Sequence, residues 1–474
     1  MGRNTILMNA SIVTVSGTAR GTLLISDGRI GGVWKVNDKG LVTYGNVEMP
    51  LERLNDILRE EYPEAAAENL EGRLLMSGCI DPHVHFREPG MTAKADIESE
   101  SRAALLGGIT SFIDMPNTNP ATTSGERLRE KLDLARGRSY CNYGFHIGAT
   151  NDNLEEIRGM LKPGREFCGV KVFMGSSTGN MLVDRDMTLR ELFSLKGVRI
   201  LVHCEDEATI RENLQKAEER YGKDIPMREH ENIRSRKACI KSTAKALEMA
   251  IECGTALHIT HVTTAEEVEM IRAAKIHNPL ISAETSANYL WFCDEDYDRL
   301  GSRLKCNPSV KKASDREALR KALKEGIIDS IGSDHAPHLP EEKARPYTTC
   351  PSGVPSIRQA LSVLLTVAEE ENIPLSRIAD AVSAKPASLF GMKDRGRIEV
   401  GAVADLIVVN PDLEFTVGEN EAGNAGIGYR CGWSPYEGIR LKGMTEDVYL
   451  GGNKVVGKGR MISENPSGLP LAFE

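Results

Sequence analysis

Residues 5–15 alternate apolar and polar side chains, with Ile6 and Met8 leading into an apolar 12–15 stretch before a Ser16-Gly17 turn. A second short apolar run, 22–25, ends at Asp27-Gly28. Alternating runs parted by glycine turns predict the strands of a small β domain. Residues 34–69 break the rhythm with a polar stretch followed by Leu51-Glu-Arg-Leu-Asn-Asp-Ile-Leu58. The apolar positions of that segment recur at helical spacing, so an insertion carrying one helix is expected there.

From Arg73 apolar strand-like runs alternate with amphipathic stretches. The predicted strands are 74–81, 110–115, 143–149, 169–174, 200–203, 256–260, 281–285 and 330–333. Helical patterns between them include 98–106, 125–135, 189–195, 211–221, 264–274 and 315–324. Eight such units over about 250 residues predict an α/β chain with a (β/α)8 TIM-type barrel. After helical stretches at 357–371 and 378–384, strands return at 404–409 and 447–450, with Gly451-Gly452 as a hairpin turn. The expected organisation is a barrel over 74–395, inserted in a small β-sandwich domain built from 1–73 and 396–474.

Composition narrows the function. The 474 residues carry 59 Lys+Arg against 68 Asp+Glu, a formal charge of −9. No basic excess exists to neutralise a phosphate backbone, which argues against a nucleic-acid partner. No apolar run approaches the ~18 residues of a membrane span, and the first ten residues lack the layout of a signal peptide. Ten cysteines stand singly, with no C-x-x-C pair, and read as buried thiols. A cytoplasmic protein with a small-molecule substrate and no membrane partner is expected, a homodimer being the default oligomer.

Ten histidines occur, and His83, His85, His203 and His261 stand where predicted strands end. In a barrel that is the catalytic face. His83 and His85, at i and i+2, project to one face of a strand and can reach one metal. His258 and His261 point to opposite faces; His261 stands at the exit, and His258 is expected to be packed. Asp334, after the last predicted strand, can ligate a metal, act as general base, or do both. A cap or loop role is the plain alternative. Lys171 lies among apolar residues in a predicted strand, where a charge is costly unless neutralised or paired. It either snorkels to the surface or is carbamylated by CO2 into an anionic bridge between two metals.

These residues sit in motifs that resemble the amidohydrolase superfamily, its cyclic-amidohydrolase group and, within it, the dihydroorotase family. The motifs are Asp81-Pro-His-Val-His-Phe-Arg-Glu-Pro-Gly90, Gly107-Gly-Ile-Thr110, Met115-Pro-Asn-Thr118 and Ser333-Asp-His-Ala-Pro-His338. Lys171-Val-Phe-Met-Gly-Ser-Ser-Thr-Gly-Asn180, His203-Cys-Glu-Asp206, His261-Val-Thr-Thr264 and Cys306-Asn-Pro308 follow in family order. The resemblance implies zinc-dependent, reversible hydrolysis of L-dihydroorotate to N-carbamoyl-L-aspartate, a step of pyrimidine biosynthesis. It implies two Zn2+, one held by His83, His85 and Asp334 and the other by His203 and His261, bridged by carbamylated Lys171. Asp334 would be the catalytic base. Arg87 and Asn117 would bind the substrate carboxylate, with further contacts from His85, Asn307, His338 and the Ser352-Gly353 loop. Allantoinases and hydantoinase-type dihydropyrimidinases share the metal ligands; Arg87 and Asn117 discriminate, because a ring bearing a carboxylate needs them. An inactive interaction homologue would have lost a ligand, and every implied ligand is present. The polar segment 339–350 is open to two readings, a lid or a plain surface loop.

Overall fold

The alternation at the start of the chain becomes the antiparallel pair Thr5–Thr14 and Gly17–Ser26 in a computed structural model that describes residues 4–175, 181–419 and 426–473. The motif that begins at Lys171 ends at residues 176–180, which lie outside the described residues. Both chain ends enter one sheet. Leu74–Ser77 joins them, pairing parallel with Thr5–Thr14 on one side and antiparallel with Leu406–Thr416 on the other. Arg440–Leu450 and Asn453–Gly457 continue the sheet.

Two packed sheets were expected, whereas nine strands form one connected sheet and the hairpin Val42–Tyr44 with Val47–Met49 stands apart from it. The connected sheet's second layer over Thr5–Thr14 comes from the 34–69 segment. Helix Leu51–Glu61 lays Leu51, Leu54 and Leu58 against Ile6, Met8 and Leu24. The opposite side packs Leu7, Ile12 and Leu23 against Leu75, Leu406 and Val408. Both faces of this sheet are therefore buried, and one helix stripe suffices to cover the second.

The predicted 74–81 strand is two strands in different sheets, Leu74–Ser77 and Cys79–Val84. Gly78 makes the switch. Its N–H donates to Asp405 O at 2.9 Å, and a Cβ there would stand 2.2 Å from Thr110 Oγ1. An apolar run read by periodicity alone gives no sign of such a change of sheet.

The middle of the chain is α/β with parallel sheets. Cys79–Val84, Ile109–Asp114 and Asn142–Phe145 form one. Ile147–Gly148, Gly169–Phe173, Arg199–His203, Leu257–Ile259, Ser282–Thr285 and Ser330–Ile331 form the other. The segment 142–148 serves both, with His146 N–H donating to Asp114 O at 3.1 Å between its two strands. At the opposite edges Val84 bridges His335 in parallel; His85 N–H donates to His335 O at 2.8 Å and Asp334 N–H to His83 O at 3.0 Å. First and last strands thus end side by side. Residues 468–471 leave the terminal sheet and hydrogen-bond along Tyr143, which seats Leu471 and Phe473 among Ile80, Ile113 and Leu201. No helix of the described residues is long and apolar enough to cross a membrane.

Candidate active site

Asp81 ties the two neighbouring strand ends together, its Oδ1 accepting from His83 N–H and Ser333 N–H, both at 3.1 Å. That places His83, His85 and Asp334 so that one donor atom from each lies within 4.8 Å of the others. His85 Nδ1–H donates to Asn117 Oδ1 at 2.8 Å, and His83 Nδ1 is bound by buried Glu284. With the ring protons held outward, the Nε2 lone pairs of His85 and His83 face Asp334 Oδ1 at 3.2 and 3.5 Å. Acceptors turned on one another across that gap are what a shared cation requires. Burial drives the His85 pKa down to about 4, which keeps the ring in its neutral, ligating form.

Lys171 lies mid-strand in Gly169–Phe173, only 1% exposed, with Nζ donating to Thr260 Oγ1 at 3.0 Å. Burial lowers its pKa to about 8, against the opposing pull of Glu284 and Asp334. A neutral amine is the form that adds to CO2. His203 closes Arg199–His203. Its Nε2–H donates to Glu205 at 2.9 Å, and its Nδ1 stands 2.9 Å from His261 Nε2. Buried Glu205 is in turn paired with Arg234. The His261 turn is followed by a capping box, in which Thr264 and Glu267 start helix Ala265–His277. Ring centroids link the two groups, His83 to His261 at 5.4 Å and His203 to His261 at 4.7 Å. His261 Nδ1 is buried with no hydrogen-bond partner among the described residues. Imidazole nitrogens and a carboxylate gathered this way fit a divalent metal.

Arg87 leaves the same segment as His85 and is 2% exposed. Its preceding residue is pinned by Asp114, whose Oδ1 accepts from Phe86 N–H at 2.9 Å while Oδ2 pairs with buried Lys131 at 2.7 Å. Arg87 Nε donates to Pro337 O at 3.1 Å, and Nη2 lies 3.0 Å from His338 Nε2. Burial brings the guanidinium pKa down to about 10. Asn117 faces His85 as described. Asn307 Oδ1 is buried without a partner among the described residues. Ser352 contributes its carbonyl, 3.0 Å from His338 Nε2. Gly353 packs on Ala336 O, where a Cβ would come within 2.6 Å.

The 339–350 segment is stapled down. Lys305 Nζ donates to Tyr347 O and Cys350 O at 2.7 and 2.6 Å. Lys343 Nζ donates to Lys305 O, Pro351 O and Gly353 O at 3.0–3.1 Å. Trp433, from the C-terminal part of the chain, donates its indole N–H to His338 O at 2.7 Å. His258 is packed between Ser282 Oγ and Glu284. Glu284, Arg234, Lys94 and Trp433 escaped sequence reasoning. Glu284 alone carried a usable signal, a lone carboxylate inside a predicted strand, as Lys171 was a lone amine.

Comparison with known proteins follows the same lines. The amidohydrolase family model matches residues 74–455. A dihydroorotase from Methanosarcina mazei is 34% identical over 380 residues, 78% of this chain and 81% of that protein. An allantoinase from Streptomyces avermitilis is 29% identical over 414 residues, 85% of this chain and 90% of that protein. Among solved structures, an L-hydantoinase (dihydropyrimidinase) from Arthrobacter aurescens superposes with a TM-score of 0.87 at 26% identity, covering 99% of this chain and 100% of that one.

Proposed function

The chain belongs to the amidohydrolase family, and from that premise we propose that it is a dihydroorotase, hydrolysing L-dihydroorotate to N-carbamoyl-L-aspartate and running in reverse for pyrimidine synthesis. On this reading the two parallel sheets are one eight-stranded barrel that begins at Cys79, and Leu74–Ser77 belongs with the strands of 1–73 and 396–474 to the smaller domain.

One observation carries the choice of ring. Arg87 is a buried guanidinium beside the His83–His85–Asp334 cluster, and the polar groups within 3.1 Å of its described nitrogens are a carbonyl and an imidazole, never a carboxylate. A buried cation at that place suits a substrate that brings its own anion, since the guanidinium fork matches a carboxylate. A hydantoin or allantoin ring carries none. The agreement of relatives named dihydroorotase supports the same choice.

His83, His85 and Asp334 would hold one zinc, and His203 and His261 a second, with carbamylated Lys171 between them. Bound there, the metals would supply Lewis acidity, polarising the ring carbonyl and making water nucleophilic near neutral pH. The chain's own groups do the rest. Arg87 and Asn117 orient the ring by its carboxylate. Asp334 takes a proton from the attacking water as the new C–O bond forms. It then delivers that proton to the ring nitrogen as the C–N bond breaks. Reversal protonates the carboxylate oxygen that leaves as water.

The test uses purified protein supplied with zinc and bicarbonate, assayed on L-dihydroorotate, allantoin and dihydrouracil in parallel. Turnover of dihydroorotate alone, lost on chelation and regained on adding zinc, is expected. Preference for allantoin or dihydrouracil would overturn the reading.

A further inference from the structure

The His338 imidazole is 2% exposed and is approached at both nitrogens. Lys94 Nζ stands 3.1 Å from Nδ1 and is itself held by Glu342 Oε1 at 2.9 Å. The second Glu342 oxygen lies 3.7 Å from the same Nδ1. At the other nitrogen, Nε2 is 3.0 Å from the Ser352 carbonyl and 3.0 Å from Arg87 Nη2.

An ammonium only donates, so Nδ1 facing Lys94 must be the accepting nitrogen. Burial, with Arg87, Lys94 and Lys343 nearby, holds the ring's pKa well below its ordinary value, so it carries a single proton. That proton sits on Nε2, where it reaches the Ser352 carbonyl. Arg87 Nη2 is also only a donor, and it cannot bond to an Nε2 that bears hydrogen. Two donors are thus left side by side, Arg87 Nη2 and His338 Nε2–H. Arg87 Nε is meanwhile anchored on Pro337 O at 3.1 Å.

We propose that Lys94 is a positioning residue: by donating to His338 Nδ1 it keeps the His338 proton on Nε2, so that His338 and Arg87 together present two donors to the substrate carboxylate. This rests on the reading above that the ring carries a carboxylate. The neutral Ser352 carbonyl holds Nε2–H less strongly than an anion does, so substrate captures the donor on binding. Without Lys94, the Glu342 oxygen 3.7 Å from Nδ1, which also accepts from Leu339 N–H at 3.0 Å, draws the proton there. Nε2 then becomes an acceptor, Arg87 Nη2 turns to it, and the pocket loses a donor twice over.

The experiment compares wild type, Lys94→Met and Lys94→Arg in zinc-loaded enzyme, with two readouts. In steady-state kinetics on L-dihydroorotate, Lys94→Met is expected to raise KM about tenfold with kcat within about twofold, the loss of a charge-assisted hydrogen bond in binding, and Lys94→Arg to recover most of it. In 15N-histidine-labelled protein without substrate, the His338 signal, assigned by its loss in His338→Gln, is expected to show Nε2–H in wild type and Nδ1–H in Lys94→Met. An Nδ1–H wild type, or a Lys94→Met enzyme with unchanged KM, overturns the proposal. A wild type that leaves dihydroorotate untouched defeats the parent reading instead; the tautomer, read without substrate, then still decides what Lys94 does to His338.

Discussion

Arg87, His261 and Asp334 hold left-handed backbone conformations, with φ of 65°, 40° and 49°, three of the nine such non-glycine residues among those described. For Arg that region costs of order 1 kcal/mol or more, whereas His, Asp and Asn adopt it more readily. Each of the three stands two or three residues beyond the end of a parallel strand. Asp334→Asn therefore tests the base when zinc content is measured alongside, because Asp334 would also be a metal ligand. Asn keeps the size and the tolerance for positive φ but cannot take up a proton. We expect kcat to fall about a thousandfold while the unfolding midpoint moves by only a few degrees. Activity retained at wild-type level would remove Asp334 from the proton transfers.

Elements meet at positions where a single side chain or its absence decides the join. Gly78 lets one continuous apolar run serve two sheets, because a Cβ there would meet Thr110 Oγ1 at 2.2 Å and Cγ2 at 2.3 Å. Thr110 is itself buried, so neither neighbour can yield without moving a strand. Gly78→Ala should lower stability by about 2 kcal/mol, read from the denaturant midpoint. A variant as stable as wild type would show that the two sheets adjust to one another. The 339–353 stretch makes the converse case. Two buried lysines, Lys305 and Lys343, satisfy carbonyls of a segment with little regular structure, and so hold Ser352 and Gly353 against His338.

At the scale of the whole molecule, the site exists because the edges of two parallel sheets meet. Strand Cys79–Val84 brings His83, Ser330–Ile331 leads to Asp334, and the backbone bonds of 2.8 and 3.0 Å between them set the cluster. A chain end does comparable work elsewhere, since Phe473 lies among Ile80, Ile113, Leu201 and Phe390. Phe473→Ala should cost about 3 kcal/mol of stability, visible in thermal unfolding, with kcat changed less than about twofold. A matching loss of kcat would mean that the tail also shapes the site.

Much of this was legible in the amino-acid sequence. Alternating strand and helix patterns announced the α/β middle and the β-rich ends, because burial periodicity is a local property of the chain. His83 with His85, the lone Lys171 and Asp334 stood out because their residue types are costly or rare where those patterns put them. Tertiary structure alone decided which strands became neighbours. It split 74–81 between two sheets, made one sheet of nine strands where two were expected, and folded the 339–350 segment down under two lysines. It also supplied Glu284 behind His83 and Lys94 behind His338, partners separated from them in sequence by 201 and 244 residues. Such pairings depend on the contacts of the closed fold, and no periodicity along the chain encodes them.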